Sequence, residues 1–172
     1  MRLAVKEAIR YALFGGILVA GLALMALKTT LPPDERRIDA IIVHCTATPP
    51  DMKVTVDDID RWHKARGWKG IGYHYMVDLD GTVYRGRTDN SVGAHCRGHN
   101  AHSIGVCYVG GLDTQGRPTD TRTPEQKEAL LKLMTVLKKR YPHAKIYNHR
   151  RFANKACPCF DAEKEYAGLR RH

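Results

Sequence analysis

The chain reads as an α/β protein: a central mixed β-sheet flanked by helices, preceded by one N-terminal transmembrane helix. Three observations lead there. Ile38–His44 and Ser103–Val109 are short apolar runs with β-branched residues, which is how buried strands look. Thr55 and Thr123 each open a longer stretch with the signals of a helix N-terminus. Tyr11 to Leu27 carries no charged residue. Strands and helices mix without a strict βαβ rhythm, so the sheet should be mixed, and no internal repeat is expected. A chain of 172 residues with 43% hydrophobic content can build one ordinary core.

In chain order, Arg2, Lys6 and Arg10 precede the apolar run and Lys28 follows it. A basic flank stays in the cytoplasm and sends the rest of the chain outward. Residues 1–28 therefore form a signal-anchor or signal segment, 29–37 a Pro-containing linker, and 38–172 the globular domain. Gly21-Leu22-Ala23 offers a small-x-small cleavage site, but cutting there leaves Leu24-Met25-Ala26-Leu27 on the mature chain, so an uncleaved anchor is the better reading. Gly15, Gly16, Ala20, Gly21, Ala23 and Ala26 make that anchor weakly hydrophobic. The expected location is the inner membrane with the domain facing the periplasm or cell wall, or export.

Within the domain, Ile38–His44 is a strand ending at a histidine. Thr55 caps a helix whose first turn holds Asp57 and Asp58, and which runs to about Arg66 before Gly67 stops it. Tyr73 to Asp78, Asp80-Gly81 and Thr82 to Arg85 read as a hairpin. Ser103–Val109 is another strand. Thr123, Pro124 and Gln126 start a long helix with N-cap, Pro at N1 and Gln at N3. Lys145–Asn148 is a short strand that delivers His149.

The formal net charge of +10 favours an anionic partner: nucleic acid, a lipid surface or an acidic wall polymer. No nucleic-acid-binding signature accompanies it, and aromatics are not interleaved with a Lys/Arg stripe, so nucleic acid is excluded. Of the five cysteines, Cys45 and Cys107 lie in strand-like runs as buried thiols. Cys96 and Cys159 fall in loops and are a candidate bridge in an exported domain, with connectivity left open.

His44, His149 and Cys157 carry the metal chemistry. Two imidazoles and a thiolate make a three-ligand zinc set, which leaves the fourth tetrahedral position open to water as in catalytic sites. Spacing alone does not require this. Nine His and five Cys make such pairs common by chance, and a hydrogen-bonded core histidine with a buried thiol explains them equally.

The surrounding residues add a pattern. Ile41-Ile42-Val43-His44-Cys45-Thr46, Trp62-His63-Lys64, Gly72-Tyr73-His74-Tyr75, Asp80-Gly81-Thr82-Val83, Ser103-Ile104-Gly105-Val106 and Lys155-Ala156-Cys157-Pro158 occur in one order. This series resembles the type 2 zinc-dependent N-acetylmuramoyl-L-alanine amidases, phage lysozyme-type enzymes that share a fold with peptidoglycan-recognition proteins. The resemblance runs from about Ile38 to about Asp161.

It implies a Zn²⁺ cofactor on His44, His149 and Cys157, peptidoglycan as substrate, and a monomeric catalytic domain that hydrolyses the amide between N-acetylmuramic acid and L-alanine. It marks Tyr73 and Lys155 as catalytic, with Lys155 balancing the developing oxyanion and the Tyr73 hydroxyl bonding water or the intermediate. It also puts His95 in the substrate groove. No Glu stands at a motif position as general base. His74, next to Tyr73 on a strand, faces the opposite side and is structural. A phage or prophage endolysin is the leading function. The alternatives are a non-catalytic peptidoglycan-binding protein, which the full ligand set disfavours, and a host wall-remodelling or recycling amidase. Polymerase inhibition, known in the phage branch, is at odds with the export signal.

Overall fold

The computed structural model describes residues 36–169. The expected membrane segment at 1–28 and nearly all of the linker lie outside them. Among the described residues no helix is long and apolar enough to cross a membrane.

Five strands make one mixed sheet: β1 (Ala40–Cys45), β2 (Tyr75–Val77), β3 (Val83–Arg85), β4 (Ser103–Tyr108) and β5 (Lys145–Asn148). Their order across the sheet is β3-β2-β4-β1-β5. β1 runs parallel to both β4 and β5, β2 runs parallel to β4, and only β3 is antiparallel. The mixed sheet expected from the sequence is therefore present.

β1 and β4 are central and buried on both faces, which explains why they read as continuous apolar runs rather than alternating ones. Alternation still sorts their side chains. Ile41, Val43 and Cys45 of β1, with Ile104, Val106 and Tyr108 of β4, join the core beneath a long helix, α2 (Pro124–Arg140). Leu130, Met134 and Leu137 of α2 fill that core. Truncating such a buried leucine to alanine costs about 2–5 kcal/mol. A smaller cluster of Val54, Ile59, Met76 and Val109 lies on the other face, under α1 (Val56–Lys64). Period two then sends His44 to that second face as well.

Both helices start as expected. Thr55 and Asp58 form a reciprocal capping box on α1, as Thr123 and Gln126 do on α2, with Pro124 at the start. α1 ends at Lys64, and a turn carries the chain on to Gly67. Gly81 takes φ +82° in the β2–β3 connection, and a Cβ there would stand 2.8 Å from the Glu125 carbonyl oxygen, so glycine is required on two counts. The short helix α3 (Ala162–Glu165) was not foreseen. Arg36, placed in the linker by sequence, donates to the carbonyls of Asn100 (2.7 Å) and Asp89 (2.8 Å) and so packs with the domain.

Candidate metal centre

Parallel pairing of β1 with β5 sets Val43 opposite Asn148, so the next residues, His44 and His149, emerge side by side. Their ring centroids are 4.3 Å apart. Both leave the carboxyl ends of parallel strands, the usual place for a site in an α/β sheet.

Cys157 reaches them from a loop that is tied down at several points. Arg150 N–H donates to the Cys157 carbonyl (2.8 Å), and the Arg150 guanidinium donates to the Phe160 carbonyl (2.9 Å). The buried Tyr108 hydroxyl donates to the Pro158 carbonyl at 2.6 Å. The Cys45 N–H then donates to Cys157 Sγ at 3.3 Å, which points the sulfur at the end of β1.

The donor atoms of His44, His149 and Cys157 all lie within 4.8 Å of one another. Cys157 Sγ is 3.9 Å from His44 Nδ1. Tetrahedral zinc with ordinary Zn–S and Zn–N bonds needs about 3.6 Å between such atoms, so small side-chain shifts suffice. Burial, followed by the nearby His95, His149 and Lys155, pushes the pKa of His44 well below the usual imidazole value. Burial and Lys155 lower that of His149. Both rings are therefore neutral near pH 7 and offer lone pairs, as ligands must. The residues present fit zinc.

His44 Nε2 is directed away from this group and lies 3.0 Å from His95 Nδ1. The remaining partners fix the direction of this bond. The Ser103 hydroxyl donates to the His99 carbonyl at 2.7 Å, and its oxygen lies 3.4 Å from His95 Nε2. Since the carbonyl only accepts, His95 Nε2–H donates to Ser103 and His95 Nδ1 is left bare. His95 Nδ1 then accepts from His44 Nε2–H, which leaves the lone pair of His44 on Nδ1, facing Cys157. Outer partners of this kind orient metal-ligating histidines and fix their tautomer.

The resemblance expects His95 in the substrate groove. It is only 7% exposed and sits behind His44. Glycines make the space: a Cβ on Gly93 or on Gly105 would stand 2.5 Å from its ring. Sequence reading missed Ser103 and this use of Gly93 and Gly105; glycine within a strand was the available signal.

Tyr73 stands beside His44, ring centroids 5.2 Å apart. Burial, with the neighbouring Cys107 and Cys157 thiols, pushes its pKa well above the usual phenol value, so it remains a hydroxyl donor. Lys155 is exposed on the ligand loop, near enough to depress both His44 and His149. His74 is buried just before β2, where its Nδ1 accepts from Gly105 N–H (2.9 Å) and its ring lies 5.6 Å from that of His95. Cys45 and Cys107 are buried. Cys159 lies not with Cys96 but with Cys45, sulfurs 3.8 Å apart.

Comparisons with known proteins identify the family. The profile of the N-acetylmuramoyl-L-alanine amidase family matches residues 34–160. The endolysin of Escherichia phage T7 is 45% identical over 126 residues, covering 73% of this chain and 83% of the phage protein. The endolysin of Klebsiella phage KP32 is 46% identical over 124 residues, 72% and 82% of the two chains. Among solved structures, the endolysin amidase LysCS from Clostridium intestinale superposes with a TM-score of 0.67 at 33% identity, covering 77% of this chain and 84% of its own. Sequence motifs, sheet order and the grouping of His44, His149 and Cys157 converge, and the chain belongs to the N-acetylmuramoyl-L-alanine amidase family.

Proposed function

We propose that this amidase is a zinc-dependent endolysin whose metal is held by His44, His149 and Cys157, with Tyr73 and Lys155 as catalytic residues. The observation that carries the reading is the convergence of those three donor atoms at the carboxyl ends of β1 and β5. The reaction is hydrolysis of the peptidoglycan amide between N-acetylmuramic acid and L-alanine.

When bound, zinc would supply Lewis acidity and would lower the pKa of a bound water to about 7. The chain's own residues supply the rest. Attack on the amide carbonyl puts negative charge on its oxygen, and the exposed Lys155 ammonium offers a positive charge there. The Tyr73 hydroxyl, held protonated by burial, donates a hydrogen bond to water or to the developing oxyanion. His95 and Ser103 act one step back, holding the His44 ring and its tautomer.

The apolar run Tyr11–Leu27 with its basic flank supports a signal-anchor at 1–28 and a linker at 29–37, with the domain outside the cytoplasm. The test of the function is chemical: digest purified peptidoglycan with the full chain and identify the new ends. New L-alanine amino groups, in step with bound zinc, are expected. New reducing sugars, or stem peptides cut internally, would refute it.

A further inference from the structure

We propose that Cys45 and Cys159 form a disulfide when the protein meets a disulfide oxidant, fastening the end of β1 to the loop that carries Cys157. The two residues are 114 apart in sequence, yet their sulfurs lie 3.8 Å apart. A disulfide bond is 2.03–2.05 Å long, so the sulfurs must close by about 1.8 Å. Cys159 lies in a turn closed by its own N–H to the Ala156 carbonyl (2.8 Å) and adopts φ +70°, unusual for a residue with a side chain. Gly111 covers the pair: a Cβ there would stand 2.6 Å from Cys45 Sγ and 3.5 Å from Cys159 Sγ. Only a glycine leaves the Cys45 sulfur its present space.

Cys157 is the competing thiol, and the geometry sets it apart. Its sulfur accepts from the Cys45 N–H and faces His44 Nδ1, so it belongs to the ligand group. Cys159 is partly exposed, which gives an oxidant access, while Cys45 is buried beneath it. In the reaction the S–S bond of the oxidant, a glutathione-type or protein disulfide, breaks and the Cys45–Cys159 bond forms. Two electrons and two protons pass from the thiols to the oxidant, which leaves as two thiols. The product joins the segment bearing His44 directly to the segment bearing Cys157. Two metal ligands are then held in register whether or not metal is present.

The occurrence of this bond in the cell rests on the export reading above, since the cytosol keeps thiols reduced. A redox titration tests the bond itself independently of export. The full-length chain, zinc-loaded in detergent, is equilibrated with oxidised and reduced glutathione, alkylated, and mapped by mass spectrometry. A Cys45–Cys159 peptide pair with Cys96, Cys107 and Cys157 unlinked is expected. The oxidised chain should unfold roughly 10 °C above the reduced one, since the bond closes a long loop. Cys159→Ser should keep amide hydrolysis and abolish this difference. Alkylation of both Cys45 and Cys159 across the oxidising range, or a link through Cys157, overturns the proposal. So does a redox-dependent midpoint that persists in Cys159→Ser.

Discussion

His95 Nδ1 lies 3.0 Å from His44 Nε2, and the Ser103 hydroxyl behind it makes this a one-way relay ending on the His99 carbonyl. The relay turns an undifferentiated imidazole into one with its lone pair on Nδ1, on the side of Cys157. His95→Ala should therefore weaken zinc binding by about 10–100-fold, measured by competition with a chromophoric chelator. Gly105→Ala should do the same from the side, because its Cβ would stand 2.5 Å from the His95 ring. Unchanged zinc affinity in both variants would return His95 to simple packing.

Cys157→Ser exchanges a soft thiolate for a poor hydroxyl ligand. Zinc stoichiometry and amide hydrolysis should both collapse, while far-ultraviolet circular dichroism stays that of the parent. The fold survives because its main core under α2 does not depend on the metal group. Full hydrolysis by a zinc-free Cys157→Ser protein would end the catalytic-metal assignment.

Lys155→Ala should leave one zinc bound and lower kcat by about a hundredfold or more, the loss typical when an oxyanion stabiliser is removed. Its exposure on the ligand loop predicts little change in stability. Loss of zinc together with turnover would make Lys155 a support of the site's architecture.

His63 and His74 give the domain an acid-sensitive stability. Each ring accepts a backbone N–H on Nδ1, from Gly72 and Gly105 respectively, at 2.9 Å. Burial holds both at about 4, against 6.5 for a free imidazole. As pH falls the unfolded chain therefore takes up protons first. The stability contributed by the neutral rings is intact above about pH 6.5 and is lost as pH drops through about 4. The denaturant midpoint of the metal-free chain should already decline between pH 6.5 and 5, above the usual carboxylate range. A flat midpoint across that interval would show that the rings are free to protonate in the fold.

For the anchor, the full-length chain should fractionate with membranes at its uncut mass. Replacing Gly15, Gly16 and Gly21 with Leu adds apolar area, so the hold on the bilayer should strengthen without altering the zinc site. A mature N-terminus at Leu24, found on exported protein, would show a cleaved signal instead.

The two central strands were legible because a doubly buried strand is written as a continuous apolar run, and β1 and β4 both are. The capping boxes at Thr55 and Thr123 are local, so they too can be read from a few residues. The parallel register that sets His44 beside His149 is not local, and only the motif order suggested it. The packing of His95 behind His44 was not legible because its neighbours, Gly93 and Gly105, come from different segments, and the slot they make exists only once the sheet forms. The nearness of Cys159 to Cys45 was hidden for the same reason: the two meet through the fold, not through nearness in sequence.

The most direct test of the central claim is X-ray absorption at the zinc edge of the purified full-length chain. One sulfur near 2.3 Å and two imidazole nitrogens near 2.0–2.1 Å are expected for Cys157, His44 and His149, with a light scatterer completing four-coordination. The sulfur should vanish from the shell in Cys157→Ser. A shell without sulfur in the parent chain, or an active chain with no zinc, would contradict the account.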